Sequence, residues 1–155
     1  MTRGRGAARA GRFHGRVRLQ PNLAAKRISL VAKLLYVDDE VLIGKAVARW
    51  FERRGHTVRL AITVGSAKEA IAQDLPDVMF IDVWLGAESG FELMSWIEET
   101  YPALASRVTF VTGELADSTQ STRIWRTLGR PVLQKPFDFA DLERSIADAE
   151  RRNGT

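Results

Sequence analysis

The 155-residue sequence contains no cysteine and only two histidines, His14 and His56. The missing thiols exclude disulfides, thiolate metal sites and a cysteine nucleophile, and they fit a reducing compartment. The two imidazoles stand far apart in unlike contexts, so a histidine metal cluster or a Ser-His-Asp triad has little to be built from. Both chemistries are therefore disfavoured.

Long apolar runs are missing as well. No stretch approaches the roughly 18 apolar residues that a membrane-spanning helix requires. The N-terminus lacks the uninterrupted apolar segment of a secretory signal. We therefore expect a soluble, cytoplasmic protein without a membrane partner. With 155 residues and 45% hydrophobic content, the chain is long enough for one globular core plus a tail.

Acidic residues are absent before Asp38, whereas nine lysines and arginines occur among the first 33 residues. The remaining residues carry 14 basic and 19 acidic side chains. We predict a basic, largely disordered arm over residues 1–33, a folded domain over 34–151 and a short tail over 152–155. Such an arm could attract nucleic-acid phosphates, but it is as often a solvated extension, so nucleic-acid binding is a minor hypothesis.

Short β-rich apolar runs alternate with amphipathic stretches from Leu34 onward. Five runs predict strands, at residues 34–37, 58–62, 78–81, 108–111 and 132–133. Their apolar continuity is typical of strands buried on both faces of a parallel sheet. The alternation indicates an α/β fold made of βα units.

Amphipathic stretches between these runs predict five helices. Capping-box spacing places the start of helix two at Ser66 and Glu69 and that of helix three at Ser89 and Glu92. Asp138 can cap helix five. The inner faces consist of Ile43, Val47, Trp50 and Phe51 in helix one, Ile124, Trp125 and Leu128 in helix four, and Leu142, Ile146 and Ala149 in helix five. The sum is a (βα)5 arrangement.

Reactive side chains follow every predicted strand except the second. Asp38 and Asp39 follow the first, Asp82 the third, Thr112 the fourth and Lys135 the fifth. In an open parallel sheet, ligands bind outside the carboxyl ends of the strands. Three carboxylates at one edge would resist ionisation unless a cation neutralised them. The sequence therefore predicts a Mg²⁺ site there, because this ion is usually held by carboxylates together with phosphate oxygens.

Each of these residues also has an ordinary explanation when it is taken singly. Asp39 could cap a helix, Asp82 could stand in a turn, and Lys135 could be a solvated charge. Together they make one coherent site for a magnesium-bound phosphate. Lys135 and the Thr112 hydroxyl could stabilise phosphoryl oxygens, and an aspartate could act as the nucleophile.

The segments LLYVDDE, VMFIDVWLGAESG, VTFVTG and VLQKPF resemble the receiver domain of bacterial response regulators, the CheY-like superfamily. The resemblance covers residues 34–151. It implies a flavodoxin-like three-layer sandwich with sheet order 2-1-3-4-5, and a role as a signalling phosphoacceptor rather than an enzyme acting on outside substrates. The partners it implies are a histidine kinase or histidine phosphotransfer protein and an unidentified downstream protein. Homodimer formation through the surface of helix four, strand five and helix five is a further option.

The resemblance also assigns roles to individual residues. Asp82 would accept the phosphoryl group, with Thr112 and Lys135 sensing it. Mg²⁺ would be held by four groups, namely Asp38, Asp39, Asp82 and the backbone carbonyl of Trp84. The bond between Lys135 and Pro136 would be cis, and Gly90 would begin helix three.

Two positions depart from the commonest receiver pattern. Gly86 stands where proline is frequent, which predicts a more mobile loop. Val132 stands where an aromatic residue is usual, so we expect the signal to leave through residues 113–118 and helix four. A rival hypothesis is a receiver-like binding module that works without phosphorylation, and another is a nucleic-acid-associated protein that acts through the basic arm. A phosphatase acting on outside substrates ranks last among these hypotheses. Aspartate-based phosphatases are expected to have a second aspartate, the general acid, two residues after the first, and Trp84 stands at that position.

Overall fold

A computed structural model of the chain describes residues 31–113 and 129–153. Five parallel strands form one sheet, namely β1 (Lys33–Val37), β2 (Thr57–Ala61), β3 (Val78–Asp82), β4 (Val108–Thr112) and β5 (Val132–Gln134). Their order is β2-β1-β3-β4-β5. The predicted fold class and sheet order are confirmed, and the predicted strand limits differ from these by at most one residue.

Helices connect the strands. They are α1 (Val41–Glu52), α2 (Val64–Gln73), α3 (Gly90–Thr100) and the C-terminal helix (Phe139–Asn153). A 3-10 helix (Pro102–Arg107), which the sequence did not predict, precedes β4. In the described part of the chain, no helix is long and apolar enough to cross a membrane. The predicted fourth helix, most of the predicted arm (residues 1–30) and residues 154–155 lie outside the described residues.

Two apolar layers hold the sheet between its helices. Alternate residues of β1 point to opposite faces, so that Leu35 and Val37 pack towards α2 and α3, whereas Leu34 and Tyr36 pack towards α1 and the C-terminal helix. β3 is buried along its whole length. The result is a three-layer sandwich. The predicted inner face of helix five is confirmed, since it is buried at Leu142, Ile146 and Ala149.

The predicted start of helix two is wrong by about one turn. Thr63 is the N-cap of α2, because its hydroxyl accepts a hydrogen bond from the Ser66 N–H at 3.0 Å. The Thr63 N–H in turn donates to the Ser66 hydroxyl at 3.1 Å. Ser66 therefore completes a capping box with the threonine before it rather than opening one with Glu69.

Ser89 and Asp138 are confirmed as helix caps, although Ser89 bonds to Phe91 and not in the predicted reciprocal pair with Glu92. The Ser89 hydroxyl accepts from the Phe91 N–H at 3.1 Å, and α3 begins at the next residue, Gly90. The Asp138 carboxylate accepts from the Asp141 N–H at 2.9 Å. The Asp138 N–H donates back to the Asp141 carboxylate at 3.1 Å, so this helix also begins with a reciprocal pair. Both helices therefore begin with a side-chain cap, one after β3 and the other after β5.

Candidate functional site

The carboxyl ends of the strands bring the predicted residues to one edge of the sheet. Asp38 follows β1, Asp82 ends β3 and Thr112 ends β4, and Lys135 follows β5. The register places Asp82 beside Val111 on the neighbouring strand. The Lys135 N–H donates to the Thr112 carbonyl at 2.8 Å, which extends the β4–β5 ladder to the site. The predicted convergence is therefore present in the structure.

Lys135 lies at the centre of an acidic cluster. Its Nζ is 2.7 Å from Asp38 Oδ2, 2.7 Å from Asp82 Oδ2 and 2.9 Å from Glu40 Oε1. Burial alone would lower the pKa of Lys135, but hydrogen bonds to the three carboxylates outweigh it and raise the pKa. The amine therefore stays protonated, and it is one ammonium that faces three carboxyl groups.

Asp82 has both carboxylate oxygens held by the protein. Oδ1 accepts from the Trp84 N–H at 3.1 Å and Oδ2 from Lys135. Burial raises the pKa of Asp82 above the ordinary aspartate value, while the hydrogen bonds from Lys135 and from the Trp84 N–H oppose the rise. Its side chain is only 7% exposed. This arrangement presents a poorly solvated carboxylate in a fixed orientation.

Asp38 is fully buried and is also held at both oxygens. Oδ1 accepts from the Glu40 N–H at 2.9 Å, while Oδ2 accepts from the Tyr36 hydroxyl at 3.0 Å as well as from Lys135. Sequence reasoning missed both Tyr36 and Glu40. Two signals could have found them, because Tyr36 stands two residues before Asp38 and so on the same face, and Glu40 extends the acidic run.

Asp39 occupies a different position from its neighbour. It is exposed, and its Oδ2 lies 3.9 Å from the point where a side chain at Gly86 would begin. It stands apart from the group formed by Asp38, Glu40 and Asp82, whose ligand atoms lie within 4.8 Å of one another. Its predicted role as a magnesium ligand stays a prediction, as does that of the Trp84 carbonyl.

Gly86 belongs to a small hairpin between β3 and α3. Residues Trp84–Leu85 pair antiparallel with Glu88–Ser89, and Gly86 has φ +65° in the turn between them. Glycine adopts this left-handed conformation readily, whereas proline is confined to φ near −65°. The departure from the commonest receiver pattern at this position thus has a local backbone reason.

Gly90 sets how closely α3 approaches the end of β3. A Cβ at this position would lie 2.2 Å from the Asp82 carbonyl oxygen and 2.9 Å from Ile81 Cγ2. The Gly90 N–H donates to the Val83 carbonyl at 2.8 Å. The absence of a side chain therefore allows the first turn of α3 to press against the backbone of Asp82.

Comparison with known proteins decides the family. Residues 34–147 match the family described as the response regulator receiver domain. The chain belongs to this family. The receiver is 31% identical over 120 residues to the nitrogen assimilation regulatory protein NtrX of Azorhizobium caulinodans, covering 76% of this chain and 25% of NtrX. It is 26% identical over 118 residues to protein PilH of Pseudomonas aeruginosa, covering 75% and 95% of the two chains.

Solved structures agree on the fold. The signal receiver domain of a putative LuxO repressor protein from Vibrio parahaemolyticus superposes with a TM-score of 0.68 at 20% identity, over 81% of this chain and 94% of that one. The beryllofluoride-activated NtrC4 receiver domain dimer gives a TM-score of 0.67 at 26% identity, over 78% and 98%. The matched region is about a quarter of the length of NtrX, so the similarity concerns the receiver domain and not the activity of NtrX as a whole.

The donor set of the receiver suits a divalent cation. Asp38, Glu40 and Asp82 offer three carboxylate oxygens in one small volume, and Mg²⁺ prefers such oxygen ligands. Lys135 brings one positive charge to these three carboxyl groups, so acidic ligands outnumber the basic group beside them. The bond between Lys135 and Pro136 is cis, as the resemblance implied.

Proposed function

We propose that this receiver accepts a phosphoryl group on Asp82 from the phosphohistidine of a histidine kinase or histidine phosphotransfer protein. It then signals through a phosphorylation-dependent contact with another protein. The observation that carries the proposal is the hold on Asp82, whose two oxygens are fixed by the Trp84 N–H and by Lys135 at a buried sheet edge. Such fixation orients the nucleophile before the donor arrives.

In the transfer step, a carboxylate oxygen of Asp82 forms a bond to phosphorus while the bond from phosphorus to the histidine nitrogen breaks. The electron pair of the broken bond returns to the imidazole. Lys135, already 2.7 Å from Asp82 Oδ2, supplies positive charge beside the entering phosphoryl oxygens. Thr112 at the end of β4 supplies a hydroxyl donor on the neighbouring strand.

Mg²⁺ would be held by Asp38, Asp39, Asp82 and the Trp84 carbonyl, with Glu40 as an additional carboxylate beside them. The ion would neutralise charge on the phosphoryl oxygens. Until then Lys135 compensates part of the acidic charge, and its ammonium is released for the phosphoryl group once the cation is bound. In this scheme the carboxylates bind the cation, and the Lys135 ammonium pairs with the phosphoryl group.

Phosphorylation changes the charge of the site by about −1.5 to −2 at neutral pH, on the scale of ordinary phosphoresidues. We propose that this charge draws Thr112 towards the site and shifts the population of the surface that the partner reads. Val132 is a partly buried aliphatic residue on β5, so an aromatic ring does not take part at this position. Homodimer formation through β5, the C-terminal helix and the predicted fourth helix is a further proposal.

The test is the intact mass of the protein after incubation with Mg²⁺ and a small acyl-phosphate donor. Wild type should gain one phosphoryl group, and the gain should disappear with EDTA and in Asp82→Asn. Asp74→Asn is the matched control, because it removes an exposed carboxylate elsewhere on the domain and should be phosphorylated as wild type is. A folded wild type that binds Mg²⁺ but gains no mass would instead favour the phosphorylation-independent binding module.

A further inference from the structure

A tyrosine lies beneath the acidic cluster, where the layer that packs towards α1 is otherwise apolar. Tyr36 is 1% exposed, and its ring contacts Phe80 at a centroid distance of 6.4 Å. Helix α1 passes closely above it, since a Cβ at Gly44 would lie 3.8 Å from Tyr36 Cδ1. Neighbours on two sides therefore restrict the ring, and its hydroxyl reaches Asp38 Oδ2 at 3.0 Å.

The Tyr36 hydroxyl acts as a permanent donor. Its oxygen lies 3.0 Å from Asp38 Oδ2, and the ring that carries it is buried. A buried phenol must find a hydrogen-bond acceptor, and here the acceptor is a carboxylate of the functional site.

Asp38 Oδ2 accepts hydrogen bonds from two donors, and only one of these bonds is expected to persist during phosphorylation. One is Lys135, which in the proposed function turns to the phosphoryl group. The other is Tyr36, which is fixed in the core. When the lysine leaves, the hydroxyl of Tyr36 and the Glu40 N–H are the donors that still keep the Asp38 carboxylate from turning.

We propose that Tyr36 is a positioning residue of the acidic site, whose hydroxyl holds Asp38 in the orientation that binds magnesium. The inference rests on the proposed function, because it assigns a role towards the cation of that same site. Partners that orient a metal ligand typically change metal affinity by about 10- to 100-fold when they are removed. Tyr36 acts at the lower end of that range, since the Glu40 N–H retains the other oxygen.

The experiment is a Mg²⁺ titration of Tyr36→Phe followed by tryptophan fluorescence, because the Trp84 N–H donates to Asp82. The dissociation constant should rise about 10-fold. Phosphorylation should slow at limiting Mg²⁺ and recover when Mg²⁺ is saturating. The matched control is Thr109→Val, which deletes another buried hydroxyl, one without a hydrogen-bond partner among the described residues. Its magnesium affinity should equal that of wild type.

A double-mutant cycle tests whether Tyr36 acts through Asp38. In an Asp38→Ala background, which lacks the acceptor oxygen, Tyr36→Phe should cause little further loss of magnesium affinity. An equal loss in both backgrounds would overturn the proposal, because the hydroxyl would then act on the fold rather than on Asp38.

A second measurement does not depend on whether Tyr36→Phe folds. The chain has two tyrosines, Tyr36 and Tyr101, so 3-fluorotyrosine labelling gives two fluorine NMR signals. The Tyr36 signal should move with the same Mg²⁺ midpoint as the fluorescence, while the Tyr101 signal stays in place. A wild type that binds no Mg²⁺ would overturn the proposed function together with this inference. Normal Mg²⁺ binding with an unmoved Tyr36 signal and an unchanged affinity in Tyr36→Phe would overturn the role of Tyr36 alone.

Discussion

The two ends of the sheet use the same kind of ion pair in opposite surroundings. At the amino end, Lys33 at the start of β1 pairs with Asp74 at 2.6 Å, and about half of each side chain is exposed. At the carboxyl end, Lys135 pairs with Asp82 at 2.7 Å, with 12% and 7% of the side chains exposed. The distances are nearly equal, so burial is what separates the two pairs.

This difference indicates what each end is for. A solvated pair contributes little to stability and costs little to form, and here it joins β1 to the residue after α2. A buried pair loses solvation that its own attraction only partly returns. Because the carboxyl end also holds Asp38 and Glu40 against the same lysine, folding alone would not favour it. An excess of acidic groups at this end is what the proposed binding of a cation and a phosphoryl group would require.

Removal of Lys135 should give the largest difference in stability between the two ends of the sheet. In EDTA, Lys135→Met should lower the free energy of unfolding by about 3 kcal/mol, because buried carboxylates lose their compensating charge. Mg²⁺ should restore part of the loss by taking over that role. The matched variant Lys33→Met, at the solvated pair, should change stability little. Urea unfolding with and without Mg²⁺ measures both, and equal losses in the two variants would contradict the contrast between the two ends.

A smaller effect should come from packing at the carboxyl end. Gly90→Ala places a methyl group 2.2 Å from the Asp82 carbonyl oxygen, so the first turn of α3 must move. We expect a loss of about 2 kcal/mol and slower phosphorylation, since overpacking of this kind costs about 1–3 kcal/mol.

Gly65→Ala is the control for Gly90→Ala. Gly65 also lies in the first turn of a helix, but its nearest contact would be Thr63 Oγ1 at 3.9 Å. Thermal unfolding should place Gly65→Ala at or slightly above wild type. A Gly90→Ala protein with wild-type stability and phosphorylation would show that α3 does not constrain Asp82.

The sheet was predictable because its central strands are buried on both faces. The continuous apolar runs ending at Val37 and Ile81 fit strands that are covered on both sides. The βα alternation predicts that such strands are parallel, whereas their order was implied by the resemblance to receiver domains. The start of α2 was not predictable by the same means. Thr63 and Ser66 compete with Ser66 and Glu69 for the same capping pattern, and local packing rather than spacing decides between them.

For the candidate site, the sequence predicted which strand each residue follows but not the direction of its side chain. Parallel strands bring Asp82 and Lys135 to one edge of the sheet, independently of the side-chain conformations. Side-chain direction is a different matter, because Glu40 turns back to Lys135 while Asp39 points towards Gly86, although the two acids are neighbours in sequence. The hairpin that sets the position of Trp84 is likewise too short to leave a periodic signal.

The smallest expected effect is a pH dependence that belongs to the carboxyl end alone. Burial raises the pKa of Asp82, so the native state keeps this proton to higher pH than the unfolded chain, whose aspartates titrate near about 4. Between that value and the raised pKa the native state binds more protons. The contribution of Asp82 to the free energy of unfolding of the apo protein therefore falls as pH rises, by at most about 1.4 kcal/mol per pH unit for one proton.

Asp82→Asn removes this titration, so the variant should gain stability relative to wild type as the pH rises through that window. Urea midpoints in EDTA across the acidic range measure the difference. Asp74→Asn at the solvated end leaves Asp82 intact and should follow the slope of wild type. A constant gap between wild type and Asp82→Asn would mean that Lys135 and the Trp84 N–H fully offset the burial of Asp82. The ion pairs at the two ends of the sheet would then differ in solvent exposure, but burial of the Asp82 carboxylate would carry no net energetic penalty.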